Sequence, residues 1–494
     1  MYYIGLDIGT SGCKASVVDG EGKIHGYSSQ TYRTISPEPG HVEIDARLVW
    51  RAVRETLTDV ARDDIAALAI ASFGEAVVPV GRDGAALANS IYFSDIRGSE
   101  ETREITDALD AARIMEITGM PVGPMFSANK LLWIRKHEPA LFDEAKYFML
   151  FGDFIAYMLT GERAVDFSLA SRTMLFDIRE KRWSSEVMSA LGLPEDRFSA
   201  PVQAGEVIGR IRPQEAQALG LPETMLVVAG GHDQALAALG SGAVQPGDAV
   251  VGMGSSECIT AVLGREEISP AMADYNFCCE PHLIKDRFIT LAFNASAGTA
   301  MNWFKDRIYG DRSQALSVQV TNTFHHMEAD CPKEPTNLLF LPYVGGSGTP
   351  YFDSAVGGAF VGLTLATGKG DMYKAVLEGI CFEMRYNLEL LERCGIRLKE
   401  IPVVGGGTQS RLLMQIKADV LGRCVETLKN REIGTIALAL LCAKATGEID
   451  DLHASAKAGA GVSAVFEPDP RRSEIYAKKM EQYRKLYGAV KSLG

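Results

Sequence analysis

Ile4-Gly5-Leu6-Asp7-Ile8-Gly9-Thr10-Ser11-Gly12-Cys13-Lys14 is the stretch on which the reading of this chain turns. An apolar run ends in a corner rich in glycine and hydroxyl groups, and a second run returns from it. Tyr2 to Ile8 predicts a buried strand, Gly9 to Gly12 a tight turn, and Lys14 to Val18 the returning strand. Asp19-Gly20 and Glu21-Gly22 supply turn chemistry before another short strand, completing a β-meander. A Walker loop would carry Gly-Lys-Ser/Thr into a helix, and the chain has none. Glycine at such a corner lets the backbone come close to a ligand and bares its N–H donors, which suits phosphate.

Further along, Ala249 to Leu263 repeats the pattern, with Gly252-Met253-Gly254-Ser255 at its corner. Between the two copies, Gln245-Pro246-Gly247-Asp248 is a turn-rich boundary. A chain of 494 residues exceeds what one hydrophobic core serves, so two domains of roughly 250 residues are expected. We place them at 1–246 and 247–494, each α/β and each contributing one hairpin. Ala46 to Arg62 has amphipathic helical spacing, Ile65 to Ser72 reads as a buried strand, and Asp153 to Leu159 as a helix stopped by Thr160-Gly161. The tail, 471–494, reads as a charged amphipathic helix forming a solvated outer face.

Composition narrows the function. Apolar residues at 47% and charged residues at 23% describe an ordinary soluble globular protein. The formal charge of -13, with no basic run, argues against nucleic acid or an anionic membrane as partner. It leaves a nucleotide open, because a metal ion and backbone dipoles can neutralise phosphates locally. Nine cysteines without paired metal spacing point to the reducing cytoplasm rather than a disulfide framework. No signal peptide is read at the N-terminus, and no apolar stretch approaches the ~20 residues of a membrane span.

Several residues then stand out, each with a plainer alternative. Asp7-x-Gly9-Thr10-x-x-x-Lys14 puts the Thr10 and Ser11 hydroxyls on phosphate and Asp7 near a magnesium ion, or is a plain hairpin. Asp233, in Gly230-Gly231-His232-Asp233-Gln234, is a general base for a substrate hydroxyl or the N-cap of the helix that follows. Glu75 is a sugar-hydroxyl acceptor or a loop acid; Asp95 is the same or half of a structural Asp95–Arg97 pair. Gly405-Gly406-Gly407 follows a short strand and precedes a helix near Ser410, which suits a nucleotide or a tight turn. His232, His41 and His325-His326 show no metal pattern and read as structural or exposed.

Together these pieces resemble the FGGY family of carbohydrate kinases, within the actin, sugar-kinase and heat-shock chaperone ATPase fold, from Tyr2 to about Phe466. Two long patterns are met in full. One is Met125-x-Ser127-x-x-Lys130-Leu131-x-Trp133-Ile134-x-Lys136-His137. The other is Gly358-x-Phe360-x-Gly362-Leu363, then Asp371-Met372-x-x-Ala375-Val376-Leu377-Glu378. The resemblance implies two ribonuclease-H-like α/β domains with ATP, Mg²⁺ and a sugar or polyol in the cleft between them. It makes Asp233 the catalytic base and Asp7 the acid near magnesium. Thr10 and Ser255, with Ser11 and Lys14 beside the first corner, meet phosphate. Gly405, Gly406, Gly407, Ser410, Gly298 and Met301 meet the nucleotide. Glu75 and Gln234, flanked by Gly74, Met125 and Asp95, meet the acceptor. A homodimer is compatible with the fold.

Departures bear on the substrate. Glycerol kinases carry Arg-Glu where this chain has Gly74-Glu75 and a tyrosine at Met125, which argues against glycerol. The Gly-Gln-Met-His-Gly of xylulokinases is absent near Ser72 to Ala76. Gly346-Ser347-Gly348-Thr349-Pro350 and Gly357 also depart from family patterns. The expected reaction is phosphorylation of a primary hydroxyl of a ketopentose. The alternatives are a tetritol or gluconate kinase, a non-catalytic sensor, or a chaperone-type ATPase.

Overall fold

The computed structural model describes residues 1–310, 320–430 and 432–493. The opening meander is β1 (Tyr2–Ile8), β2 (Gly12–Asp19) and β3 (Ile24–Thr31), with Ile8 opposite Cys13 across the corner. Helix α1 (Ala46–Asp59) is capped by Asp45, whose side chain accepts from the Arg47 N–H, and buries Val49, Val53 and Leu57 against this meander. β4 (Ile65–Ser72) joins β1 in parallel. β5 (Val207–Arg210) and β6 (Leu226–His232) finish the sheet in the spatial order β5-β6-β4-β1-β2-β3. Helix α2 (Asp233–Gly240) leaves the end of β6.

The second sheet repeats the plan. β7 (Ala249–Met253), β8 (Glu257–Leu263), β9 (Glu280–Pro281) and β10 (Phe288–Asn294) are followed by α3 (Gly298–Phe304) and α4 (Lys369–Arg393). Then come β11 (Pro402–Val404), α5 (Arg411–Leu421), β12 (Val425–Leu428), α6 (Ile433–Ala445) and β13 (Val462–Phe466). Their spatial order is β9-β10-β8-β7-β11-β12-β13. The run β3-β2-β1-β4-β6 of the first sheet thus recurs as β10-β8-β7-β11-β12, with the same parallel and antiparallel senses. This is the ribonuclease-H-like pair that the resemblance implies.

The two halves exchange helices. α6 lies between two strands of the second sheet but packs on β1 and β4 of the first, whereas α2 follows the first sheet and packs on β7 and β8 of the second. The helices also touch each other, and one apolar cluster runs through both: Ala67, Val228, Leu236, Val250, Val262 and Leu438 all belong to it. Two glycines permit the close approach. A Cβ on Gly5 would lie 2.4 Å from the Thr435 carbonyl oxygen, and one on Gly240 would lie 2.1 Å from that of Ile433. Because α6 is enclosed on nearly all sides, it is apolar all round rather than amphipathic.

The C-terminal tail differs from its sequence reading. α7 (Pro470–Tyr483) is amphipathic, but one face is docked rather than solvated, with Tyr476, Met480 and Tyr483 buried. Lys479 donates to Glu378 at 2.6 Å and Tyr476 to the same carboxylate at 3.0 Å, which pins α7 to α4. Gly494, the last residue of the expected tail helix, lies outside the described residues. Among the described residues no helix is long and apolar enough to cross a membrane.

Candidate active site

The glycine pair before Asp233 makes a β-bulge. The register of β6 against β4 slips between Ala229 and Gly231, and a Cβ on Gly230 would fall 2.0 Å from the Ile70 carbonyl oxygen. The bulge turns the chain so that His232, not Asp233, takes the capping position of α2, and no side chain caps the helix there. Asp233 therefore sits in the first turn with its carboxylate 40% exposed. The capping alternative for Asp233 does not hold.

His232 is almost fully buried and makes three contacts. Its Nε2 lies 3.2 Å from Asp233 Oδ1, its Nδ1–H donates to Glu280 Oε1 at 2.8 Å, and its backbone N–H donates to Ser168 Oγ at 2.9 Å. Glu280 comes from β9, in the other half of the molecule. Its second oxygen is 3.3 Å from Arg172 Nη1, and Arg172 Nε donates to Glu75 Oε1 at 2.7 Å. Burial alone would push the His232 pKa down, but the carboxylates of Glu280 and Asp233 outweigh it and raise it to about 9. Burial would likewise lower the Arg172 pKa, and Glu75 and Glu280 reverse that.

Glu75 occupies a left-handed backbone conformation, φ 65°, which costs a non-glycine residue about 1–2 kcal/mol. The strain is held from two sides. Ser127 Oγ donates to the Glu75 carbonyl at 2.6 Å, and Arg172 grips the carboxylate. Gly74 is needed for that grip, since its Cβ would lie 2.7 Å from Arg172 Cγ. Phe126 lies under the guanidinium, with Met125 half-buried beside it. Lys130, from the same motif as Ser127, is buried and donates to the carbonyls of Asp95 and Arg97 at 2.7 and 2.6 Å. The motif thus ties down both loops.

Asp95 is not free for a ligand. Its carboxylate accepts from the Val42 N–H, the Arg97 N–H and the Arg97 guanidinium, and the side chain has no exposed surface. The structural Asp95–Arg97 pair replaces the acceptor role expected for it. Gln234 reaches across to the second half, accepting from Thr260 Oγ1 at 3.3 Å.

Asp7 lies near the end of β1. Lys14 Nζ is 3.4 Å from its carboxylate and 2.8 Å from that of Glu432, at the start of α6. Lys14 is therefore shared between two acids. Burial raises the Asp7 pKa; Lys14 opposes this, while Asp233 adds to it. Thr10 hydrogen-bonds the hydroxyl of Tyr92, a buried ring whose pKa is raised by burial and further by Glu75 and Asp233. Thr10, Tyr92, Glu75, Asp233 and Asp7 thus share one electrostatic neighbourhood.

The second corner is built differently. Gly298 N–H donates to the Gly254 carbonyl at 3.1 Å and Thr299 N–H to that of Ser255 at 2.9 Å, so the start of α3 is stitched to the hairpin. Ser255 is exposed, whereas Met301 is buried in α3. Gly405, at φ 96°, and Gly407 rest on Met253; a Cβ on either would come within 2.4 Å of its backbone oxygen or its sulfur. Gly406 has open space around it. The Ser410 hydroxyl caps α5, accepting from the Leu413 N–H at 3.0 Å.

Arg172, Glu280, Tyr92, Glu432 and the role of His232 were not readable from sequence. No local spacing links them, since they come from separate elements of both halves.

Two glycine- and hydroxyl-rich corners at equivalent places in two ribonuclease-H-like halves, with a part-exposed carboxylate at their joint, match a phosphotransferase of the sugar-kinase ATPase class. Family models agree along the chain. The N-terminal domain of the FGGY family of carbohydrate kinases matches residues 2–240, and its C-terminal domain matches residues 249–446. The chain belongs to the FGGY family of carbohydrate kinases and is an ATP-dependent carbohydrate kinase.

Similar proteins carry different substrate names. A "Xylulose kinase" of Bacillus subtilis is 27% identical over 498 residues, covering 100% of this chain and 98% of that one. A "Glycerol kinase" of Symbiobacterium thermophilum is 32% identical over 467 residues, covering 90% of each. Among solved structures, a ligand-bound xylulose kinase and a gluconate kinase, both from Lactobacillus acidophilus, superpose with TM-score 0.90 at 27% identity. Both matches cover 99% of this chain and 98% of the other.

Proposed function

We propose that the chain phosphorylates a primary hydroxyl of a neutral, open-chain sugar or polyol, with a ketopentose as the leading acceptor. Asp233 is the general base. The acceptor O–Pγ bond forms as the bond from Pγ to the ADP oxygen breaks, the electron pair leaves on ADP, and the hydroxyl proton passes to Asp233. The carrying observation is that Asp233, alone among the carboxylates of its buried chain, is partly exposed at the joint between the halves.

Thr10, Ser11 and Ser255, with backbone N–H groups of both corners, hold phosphate oxygens in this reading. Gly298, Met301 and the Gly405-Gly406-Gly407 turn border the adenosine. Asp7 suits magnesium: Mg²⁺ takes one or two carboxylates, water and phosphate oxygens rather than an all-protein cage. The described residues contain no cage of three ligating side chains. Bound with ATP, the ion would neutralise phosphate charge beside two acids that repel each other. Residues 1–246 then serve the acceptor and 247–494 the nucleotide. The nine free cysteines suit a cytoplasmic enzyme.

Charge supports a neutral acceptor. Asp7, Glu75, Asp233, Glu280 and Glu432 outnumber Lys14, Arg172 and His232, and each of those cations already faces an acid. No cation among them is spare for the carboxylate of an aldonate. Glu75, Gln234, Gly74 and Met125 border the acceptor. The xylulose kinase names of similar proteins support the ketopentose. ADP release measured over ketopentoses, ketohexoses, tetritols, pentitols and aldonates tests this. Turnover should be highest on a ketopentose and lowest on aldonates, and an aldonate preferred over every neutral sugar contradicts the reading.

A further inference from the structure

The contacts around Asp233 form one buried chain of alternating charge: Glu75, Arg172, Glu280, His232, Asp233. Its links are the Glu75–Arg172 ion pair, then 3.3, 2.8 and 3.2 Å. It begins at the strained loop that borders the acceptor and ends on the base. Every interior member touches one neighbour of opposite sign on each side. Only the last, Asp233, is substantially exposed. Glu280 belongs to the second sheet, so the chain is complete only when that half contributes its acid.

We propose that His232, clamped between Glu280 and Asp233, is a positioning residue for phosphoryl transfer: it engages one oxygen of the Asp233 carboxylate and leaves the other for the acceptor hydroxyl. This rests on Asp233 being the base. A free carboxylate rotates about its terminal torsion, which is broad and roughly two-fold. A ring whose far side is bonded to a buried acid cannot follow that rotation, so its charge, held 3.2 Å from Oδ1, restrains the carboxylate. The bulge at Gly230 and the Ser168 hydroxyl on the His232 N–H fix the backbone from below. Arg172 holds Glu280, and Glu75 holds Arg172, which carries the geometry of the acceptor loop through to the base.

The Nδ1–H of His232 is directed at Glu280, and Nε2 stands 3.2 Å from Asp233 as an ion-pair contact, so both acids favour the charged ring with both nitrogens protonated. The groups facing the ring are Asp233 from α2, Glu280 from β9 and Arg172. Asp166, Cys258 and Cys278 stand around Glu280 and Asp233. The folded-state value of about 9 is raised above that of an ordinary histidine, so the doubly protonated ring is present below it and is lost as pH rises through it.

The test uses the full chain with ATP and the best acceptor from the sugar panel. His232→Gln should lower kcat roughly 10–100-fold, the effect of a misplaced reacting group, with both KM values changed less than about threefold. The wild-type kcat should fall above pH about 9. Glu280→Gln should move that alkaline limb to lower pH, and His232→Gln should abolish it. In the wild-type protein, ¹⁵N spectra of labelled histidine should show the His232 ring titrating well above an ordinary histidine, which carries the test even if Glu280→Gln does not fold. A ring titrating at or below the ordinary value overturns the proposal. So does His232→Gln with unchanged kcat and pH profile, or with its loss expressed in KM. If Asp233→Ala keeps its turnover, the base assignment has failed instead, whatever His232 does.

Discussion

The two corners sit at equivalent places in two sheets that share a run of five strands, yet they are furnished in opposite ways. At the first, Asp7, Lys14 and Glu432 form a half-open cluster of charge that feels Asp233. At the second, Gly252 stands where the first has Asp7, and the nearby acid, Glu257, is turned inward. It meets Lys417 in a fully buried ion pair. The second corner carries glycine and the Ser255 and Ser256 hydroxyls, is stitched to α3 and packs against the Gly405 turn. Repetition supplies the frame, and local substitution furnishes it: the first corner keeps part-exposed charge, and the second buries its charge in an ion pair that holds shape.

That contrast can be broken in order of effect. Lys417→Met leaves Glu257 buried without its cation and should destabilise the protein by about 3–5 kcal/mol, read by thermal or denaturant unfolding. Lys14→Met at the first corner should cost less than about 1 kcal/mol of stability, because that cluster is part-exposed, while lowering kcat. Similar stability losses in both variants would erase the distinction. Next, Gly5→Ala drives a methyl into the α6 backbone and should cost about 1–3 kcal/mol by overpacking, since the carbonyl of Thr435 cannot yield as a flexible side chain would. Equal stability would mean the helix exchange is not tightly packed. Ser410→Ala should cost about 1 kcal/mol through its lost cap and leave KM for ATP unchanged. A raised KM for ATP would restore Ser410 to the nucleotide site.

Much of the frame was legible. The strand at Ile65 to Ser72 is observed with those bounds, and the two hairpins follow from apolar runs around glycine corners. Such signals are local: alternation and turn chemistry act within a few residues. The tail shows how a local signal is misweighed. Its charges suggested a solvated helix, yet Tyr476, Met480 and Tyr483 recur at helical spacing and Lys479 spans to Glu378. Ser410, just before a helix, is of a type that caps, and its hydroxyl does so.

The chemistry was half legible. Asp7 and Asp233, the proposed metal acid and base, stand out in the sequence because glycines lie close by. His232 has the same glycines before it but reads as bland, since its meaning depends on Glu280 and Arg172 from distant segments that only the folded chain brings together. Asp95 failed for the converse reason. The residue type suits a sugar hydroxyl, but Arg97 two positions on consumes it.

The most direct measurement is the turnover of Asp233→Ala with ATP and the accepted sugar. The account predicts a kcat about 10²–10⁴-fold below wild type, the range for a lost general base, with KM for ATP within a few-fold because the phosphate corners are untouched. A variant that phosphorylates sugar at near the wild-type rate contradicts it.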